Sequence, residues 1–287
     1  MIPKIIYIVI FCINILNAYK IDNNNSIYNV SKNARINSLG TLHLSSNNIN
    51  GLFVQPLNFS KNIKGDSYYS YIKSFDNLIS VYQFGVCLNE NKNKNISFGI
   101  IKRSIDNINN TTNAWQFTEN GPEFNQIDYT QISEIQDNEI GLLISYGYKI
   151  SSFSSINIKV KPSFHKIFNK EAHGLGLDMI FVQKIKKMEF VFGCEDIISY
   201  KKWNTGAIEE YNINPYINFT LNFHNFLLSI ETNTMSELKY GLEYKISPIF
   251  ILRCGLNEFN KISYGAGIST DVVNFNFAYF KTEFSFS

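Results

Sequence analysis

Residues 236–255, "SELKYGLEYKISPIFILRCG", show the regular alternation that decides the fold. Apolar residues fall on every second position, at Leu238, Tyr240, Leu242, Tyr244 and Ile246, and Lys239, Gly241, Glu243 and Lys245 fill the positions between them. Successive side chains leave a pleated strand on opposite sides, so this period of two predicts a strand with one apolar and one polar face. The apolar face could meet the core of a soluble sandwich or the lipid around a barrel.

The same alternation recurs along most of the chain. It is found in residues 78–88, 96–100, 140–150, 156–164, 175–181, 211–223, 262–268 and 273–279. We count about fourteen strands, many of roughly 9 to 12 residues, which is the length that a tilted strand needs to cross a bilayer. Strands of globular sheets have a modal length of only about 5 to 6 residues.

The connections and the polar faces also favour a barrel. Residues 104–138 are predicted to be a long loop with one or two short strands, and residues 196–210 a second long loop. The turns near residues 151–153 and 247–248 are short, and outer-membrane barrels show the same alternation of long and short connections. The polar faces are rich in Asn, Ser, Gly and Lys, as a hydrated lumen would be. The sequence therefore predicts an all-β protein, an antiparallel transmembrane β-barrel, and the alternative is a secreted β-sandwich that acts as a binding module.

The amino terminus has the pattern of a secretory signal peptide. Lys4 precedes the apolar run 5–16, and Ala18 supplies the small residue expected near a cleavage site. Residues 1–18 are therefore predicted to be a signal peptide, with a membrane anchor as the alternative. The polar, Asn-rich residues 19–35 are predicted to be a disordered arm, and residues 36–287 the barrel domain. After Ala18 no stretch approaches the roughly 18 to 20 apolar residues of a spanning helix.

Composition sets further limits on function. The chain has 287 residues and a formal net charge of +2, and its Lys and Arg residues are scattered, so nothing suggests nucleic acid as a partner. Aromatic residues make up 15% of the chain, which favours half-buried strands. Cys12 lies within the predicted signal peptide. Cys87, Cys194 and Cys254 are interpreted as free thiols packed among apolar neighbours, and a disulfide is the alternative.

The sequence contains no recognisable catalytic or metal motif. His43, His165, His173 and His224 have no ligand-type spacing, and none pairs with a cysteine in a zinc pattern. The "GLG" at 174–176 and the "GAG" at 265–267 lie within alternating strands, where they indicate a close backbone approach or a bend. We therefore expect no enzymatic activity, no cofactor and no metal.

Several polar residues are candidates for the lumen wall. Lys239, Glu243 and Lys245 share one strand face, where they form either a hydrated wall with compensating charges or a patch that contacts a ligand. Asp178 and Asn218 occupy the polar faces of their own strands and are predicted to face the lumen as well.

Residues 34–56, "ARINSLGTLHLSSNNINGLFVQP", resemble the opening of the PorV/PorQ family of bacterial outer-membrane proteins, relatives in fold of the FadL-type barrels. The matching residues are Ala34, Arg35, Gly40, Leu52, Phe53 and Pro56. Residues 171–181 and 238–280 are similar to further strands of that family. The chain departs from the pattern at Asn47 and Asn48, where the family has an acidic pair, and at Gln55 and Leu57, which flank Pro56 where the family has Asn-Pro-Ala.

The resemblance implies a bacterial outer-membrane barrel whose residues 36–59 fold into the lumen as a plug or a short helix. It further implies a part in protein secretion or surface attachment of the type IX kind, with outer-membrane lipid and secreted cargo or secretion components as partners. A FadL-like channel for hydrophobic small molecules is the alternative function.

Overall fold

The computed structural model describes most of the predicted barrel domain and a short part of the chain before it. The described residues are 27–30, 33–44, 49, 52–53, 67–74, 78–91, 93–118, 121–233, 238–257, 260–270 and 273–279. The predicted signal peptide, residues 19–26 and Pro56 lie outside these ranges.

Antiparallel strands make up nearly all of the described chain. They are β1 (Ser67–Ser74), β2 (Ile79–Asn91), β3 (Lys94–Asn110), β4 (Trp115–Thr118), β5 (Gly121–Ile127), β6 (Ser133–Lys149), β7 (Ser154–Ile167), β8 (Lys170–Ile185), β9 (Met188–Trp203), β10 (Ile208–Glu210), β11 (Asn214–Phe223), β12 (Phe226–Asn233), β13 (Leu238–Lys245), β14 (Phe250–Leu256), β15 (Ile262–Ser269) and β16 (Asn274–Tyr279). Two short helices precede them, α1 (Ile27–Val30) and α2 (Ala34–Ser38). Neither helix is long and apolar enough to cross a membrane, nor is any other helix in the described ranges.

The strands form one 14-stranded antiparallel sheet in which each strand pairs with its neighbours in sequence. Two parts of the chain depart from this simple order: β10 pairs only with β9, and β4 and β5 form a separate hairpin between β3 and β6. Over the ranges that the structure describes, no backbone ladder joins β1 to β16. The predicted antiparallel transmembrane barrel of about fourteen strands is confirmed as the fold class.

The two faces of the sheet differ as the alternation predicts. On β13, Leu238 and Tyr240 have relative exposures of 47% and 40%, whereas Lys239 and Glu243 have 6% and 5%. The same outward apolar and inward polar pattern is present on β6, where Ile140 and Leu142 are exposed and Glu139 is buried. An apolar outer face and a polar inner face are the arrangement required by lipid outside and polar groups inside.

A charge placed on the outward face should therefore be costly near the middle of a strand. We expect Leu242→Arg to lower the free energy of unfolding in lipid vesicles by about 2 to 4 kcal/mol, because the guanidinium would lie in hydrocarbon. The matched control is Leu238→Arg, at the end of the same strand face, where the expected cost is only about 0 to 1 kcal/mol. Equal costs for the two variants in urea titrations would contradict the lipid-facing assignment.

The interior of the barrel is occupied by the chain before β1. We define the plug as α1, α2 and the described residues 39–44, 49 and 52–53. Its apolar residues are nearly or fully buried, with exposures from 0% to 6%: Ile27, Tyr28, Ile36, Leu39, Leu42, Leu44, Ile49, Leu52 and Phe53. Helix α1 contacts β3 and β6, and α2 contacts β14, β15 and β16, so the plug contacts strands from both halves of the sheet.

The structure corrects three predictions from the sequence. The disordered arm predicted for residues 19–35 is wrong at its described end, because Ile27 and Tyr28 are buried in a helical turn. The hairpin β4–β5 confirms the one or two short strands predicted within the loop 104–138, but both ends of that range belong to the wall strands β3 and β6. The predicted loop 196–210 instead continues β9 to Trp203 and adds β10.

Candidate functional site

A triad of charged side chains ties the plug to the wall: Arg35 of α2, Glu243 of β13 and Arg253 of β14. Arg35 of α2 places its Nε 2.9 Å from Oε2 of Glu243, and Arg253 places its own Nε 2.7 Å from the same oxygen. Glu243 and Arg253 are only 5% exposed. Two residues singled out from the sequence for different reasons, Arg35 of the plug motif and Glu243 of the lumen face, therefore form one ion pair.

A second tie is made by His43, which lies between two carboxylates. Its Nδ1 is 2.8 Å from Glu231 and its Nε2 is 3.2 Å from Glu195, and its backbone N–H donates to Glu231 over 2.6 Å. The imidazole also stacks on Tyr216, with 4.1 Å between ring centroids. A neutral imidazole has one N–H, so a donor on both nitrogens requires the protonated ring.

The charge on His43 follows from this setting. Burial lowers the pKa of His43, but the carboxylates of Glu231 and Glu195 raise it by more, and the net pKa lies above its usual value of 6.5. Lys239 and Asn218, both predicted to face the lumen, converge on the same Glu231, with Nζ at 3.6 Å and Nδ2 at 3.3 Å. His43 was not among the residues predicted from the sequence, because a lone histidine in a loop has no partner visible nearby in the chain.

Asp178, another predicted lumen residue, lies at a bulge in the wall. Leu177 pairs with Ile198 and Met179 with Cys194, so residues 195–197 lie opposite Asp178. Asp196 has a φ of 54°, and its backbone N–H donates to Asp178 over 2.9 Å. Lys161 binds both carboxylates, at 2.6 Å and 2.8 Å. The bulge brings two acidic groups to a single buried lysine.

A fourth polar cluster spans β3, β6, β7 and β9. Arg103 and Lys201 contact Glu139 at 3.0 Å and 2.6 Å, and His165 contacts Asp137 at 2.6 Å. Sequence reasoning missed this cluster, although strand parity alone places all of these residues on inward faces. A cavity of about 10 Å³, with room for about one water molecule, lies beside it and is lined by Tyr28, Glu139, Lys161, Asp196 and Lys201 among others.

Beside this cluster, part of the lumen wall is lined by apolar side chains, interspersed with buried polar ones such as Gln83 and Ser97. Val81, Cys87, Ile101 and Leu143 point inward from β2, β3 and β6, with exposures of at most 2%. They pack against plug residues Ile27, Tyr28, Ile36, Ile49, Leu52 and Phe53. We call these four wall residues the apolar strip. It departs from the uniformly polar lumen predicted from the sequence.

The remaining predicted residues occupy different places. Lys245 lies on the same face as Glu243 but is exposed at the end of β13. Ala34 is half-buried in the first turn of α2. Gly40 follows α2 with a φ of 74°, and a Cβ there would come within 2.8 Å of the backbone oxygen of Tyr240. Only glycine fits this close, left-handed passage of the plug along β13.

No metal site is apparent in the part of the chain that the structure describes, where no three His, Cys, Asp or Glu side chains lie together in a way that could hold an ion.

The fold and the filled lumen define a plugged transmembrane β-barrel. The structure is similar to that of the TodX deltaS2S3 mutant, a monoaromatic hydrocarbon channel, with a TM-score of 0.59, 10% identity, and coverage of 85% of this chain and 91% of that chain. It also aligns with a Pseudomonas aeruginosa FadL homologue, with a TM-score of 0.41, 10% identity, and coverage of 71% and 70%. No protein-family model and no curated protein matches the sequence. The likeness to the first channel shows that the two proteins share a fold.

Proposed function

We propose that this protein is a plugged outer-membrane channel for small apolar molecules and not an enzyme. The observation that carries the proposal is the apolar strip, because Val81, Ile101 and Leu143 would face water in a pore for polar solutes. Exposing apolar surface to water costs about 25 cal/mol for each Å². An apolar solute on the strip avoids that cost once the plug has moved. The likeness to a hydrocarbon channel supports the same class of solute.

Passage requires the plug to shift, since its side chains fill the space over the strip. The polar ties between plug and wall include those at Arg35, Gly40 and His43, which can break without unfolding the sheet. The barrel is therefore expected to close the membrane to polar solutes at rest.

The alternative role in protein secretion rests on the resemblance to the PorV/PorQ family. Two of the residues that carry that resemblance, Arg35 and Gly40, dock the plug on β13 and on Ser263 of β15. Leu52 and Phe53 pack inside the lumen. Plug docking accounts for these four residues without a cargo protein, so we rank the channel first. Co-purification of secreted proteins with the barrel would favour the secretion role.

The test is uptake of an apolar dye by intact cells that carry the protein in the outer membrane. N-phenylnaphthylamine fluoresces once it enters lipid, so its fluorescence rise reports the rate of entry. We expect faster entry with the protein than without it, and a severalfold slower rate for Ile101→Thr, because a hydroxyl on the strip weakens its contact with an apolar solute.

The matched control is Ile100→Thr. Ile100 is the adjacent residue on the outward face, with 48% exposure, and the substitution there should leave the rate unchanged. Dye entry that is independent of the protein, or rapid swelling of proteoliposomes in small sugars, would contradict the proposed channel.

A further inference from the structure

Three neighbouring turns form a continuous surface at one end of the barrel. The turns after β8, β11 and β13 follow one another at the same end, because consecutive strands of the sheet are antiparallel. The Asn222 N–H donates to the Lys187 carbonyl oxygen over 2.8 Å. The Lys245 N–H donates to the Asn225 carbonyl oxygen over the same distance. We define the basic rim as residues 184–189, 222–226 and 244–250.

The basic rim carries an excess of positive charge. Its acidic residue, Glu189, is buried and already pairs with Lys184 over 3.3 Å. The other lysines of the rim are exposed, and within the ranges that the structure describes none of them pairs with a carboxylate. These lysines are Lys186, Lys187 and Lys245. They attract anions from outside the chain.

A row of aromatic rings lies beside these lysines on the outward face. Phe223 pairs with Phe226 across the β11–β12 turn, and Phe226 pairs with Tyr244 of β13. The rings of Phe226 and Tyr244 stack with 4.4 Å between their centroids, and Phe223 is 50% exposed. Aromatic rings at the end of the apolar face of a barrel mark the boundary between hydrocarbon and headgroups. The basic rim therefore lies at the level of the lipid headgroups.

One of the lysines is held against this aromatic row. The Nζ of Lys187 lies 5.7 Å from the centre of the Phe223 ring, which is a cation–π contact. Lysine at a membrane boundary lays its apolar stem along apolar surface and keeps its ammonium group in the polar layer. The contact places a positive charge where the phosphates of the surrounding lipid lie.

The lysines of the basic rim occupy two positions. Lys186 and Lys187 lie together in the β8–β9 turn, and Lys245 lies three strands further along the sheet, at the end of β13. Neighbouring strands are about 4.8 Å apart, so the two positions are about 14 Å apart along the rim. Lysine has a flexible four-carbon stem, which lets both positions lean toward one headgroup. A lipid with two phosphates can contact both positions, and a lipid with one phosphate contacts one of them.

We propose that the basic rim binds the headgroup of an anionic phospholipid, with its acyl chains against the aromatic row and its phosphates on the two lysine positions. The charge of the rim selects the phosphate, and its continuity with the lipid-facing surface selects a lipid over a soluble anion. The site does not rest on the proposed channel, because it requires only a barrel that stands in lipid.

The opposite end of the barrel has a different charge pattern. Lys166 pairs there with Glu171 over 2.9 Å. Strand β10, which contains Glu209 and Glu210, pairs with β9 beside Lys202. Exposed lysines at that end therefore have carboxylates of the chain as neighbours, and they supply a matched control.

The experiment measures lipid binding to the purified full-length chain in detergent by native mass spectrometry. The lipids are cardiolipin, which has two phosphates, phosphatidylglycerol, which has one, and phosphatidylethanolamine, whose ammonium group neutralises its phosphate. We expect the affinity to fall in that order. The triple variant Lys186→Gln, Lys187→Gln, Lys245→Gln should bind cardiolipin at least about tenfold more weakly, because each lysine near a membrane surface adds to the attraction for anionic lipid.

Smaller changes test the two positions separately. Lys245→Gln alone should remove the preference for cardiolipin over phosphatidylglycerol and leave phosphatidylglycerol bound at the β8–β9 turn. Replacing all three lysines with arginine keeps the charge and should keep the binding. This pair of variants also decides the question if the triple glutamine variant fails to fold.

The matched control is Lys166→Gln, Lys170→Gln, Lys202→Gln, which removes the same charge from exposed lysines at the opposite end and should leave cardiolipin binding unchanged. Unchanged cardiolipin affinity in the triple glutamine variant of the rim, or an equal loss in the control, would overturn the site. Equal affinity for phosphatidylethanolamine and cardiolipin would mean that apolar contact alone holds the lipid. A rim that binds lipopolysaccharide or an acidic protein, but not cardiolipin, would also contradict the proposal.

Discussion

Replacing Glu243 with alanine is expected to release the plug and to destabilise the barrel by about 3 to 5 kcal/mol, because removal of one partner leaves buried charges uncompensated. The carboxylate lies between Arg35 and Arg253, and Arg253 has no other acidic partner within reach in the described structure. Its Nη1 already lacks a hydrogen-bond partner. The loss of Glu243 would thus leave Arg253 in the wall and Arg35 in the plug without their shared carboxylate partner.

The measurement has two parts. Urea unfolding in vesicles gives the change in free energy, and single-channel conductance in planar bilayers reports the plug. Arg35→Met is the matched control for the plug, because it leaves the pair of Glu243 and Arg253 intact. We expect it to raise conductance with a smaller loss of barrel stability. If Glu243→Ala keeps both the conductance and the stability of the unaltered protein, the triad does not hold the plug.

Raising the pH is expected to loosen the plug through His43. The pKa of His43 is raised above 6.5 in the folded protein by Glu231 and Glu195, so its stabilising effect is complete below about pH 6.5 and is lost as the pH rises through the raised value. Each unit of difference between the folded and unfolded pKa corresponds to about 1.4 kcal/mol. Deprotonation would leave a lone pair on one ring nitrogen facing a buried carboxylate, and the two would repel each other.

Conductance and unfolding free energy measured from about pH 6 to about pH 9 would test this. The unaltered protein should become less stable and more conductive with rising pH, and His43→Gln should flatten both curves. His224→Gln, in the exposed turn between β11 and β12, should keep the original pH dependence. A slope that persists in His43→Gln would assign the pH effect to another group.

The alternation of residues along single strands predicted the fold and the faces of the wall. It placed Lys239 and Glu243 on one face and Leu238 and Tyr240 on the other, which is where the structure has them. It could not supply partners, because the contacts that define the site join distant parts of the chain. Arg35 and Glu243 are separated by 208 residues.

Two parts of the fold left no readable pattern. The last part of β3, after residue 103, and the first part of β6, before residue 139, are rich in Asp, Asn and Ser. A strand without an apolar outer face lacks the alternation by which a strand is recognised in the sequence. The apolar strip was hidden for a different reason. Val81 and Ile101 are inward residues that pack on a plug formed elsewhere in the sequence, and strand parity says nothing of such a partner.

The reach of the plug also sets an order of events during assembly. The plug is made first, yet its docking partners include residues of β13, β14 and β15, and the hydrogen bond that the Gly40 backbone N–H donates to the Ser263 hydroxyl joins residues 223 positions apart. Contacts so distant in sequence form late and slowly. The plug can therefore dock only after the last hairpins have formed. In a chain that ends before β13, the plug would lack these docking partners and the lumen would stay open.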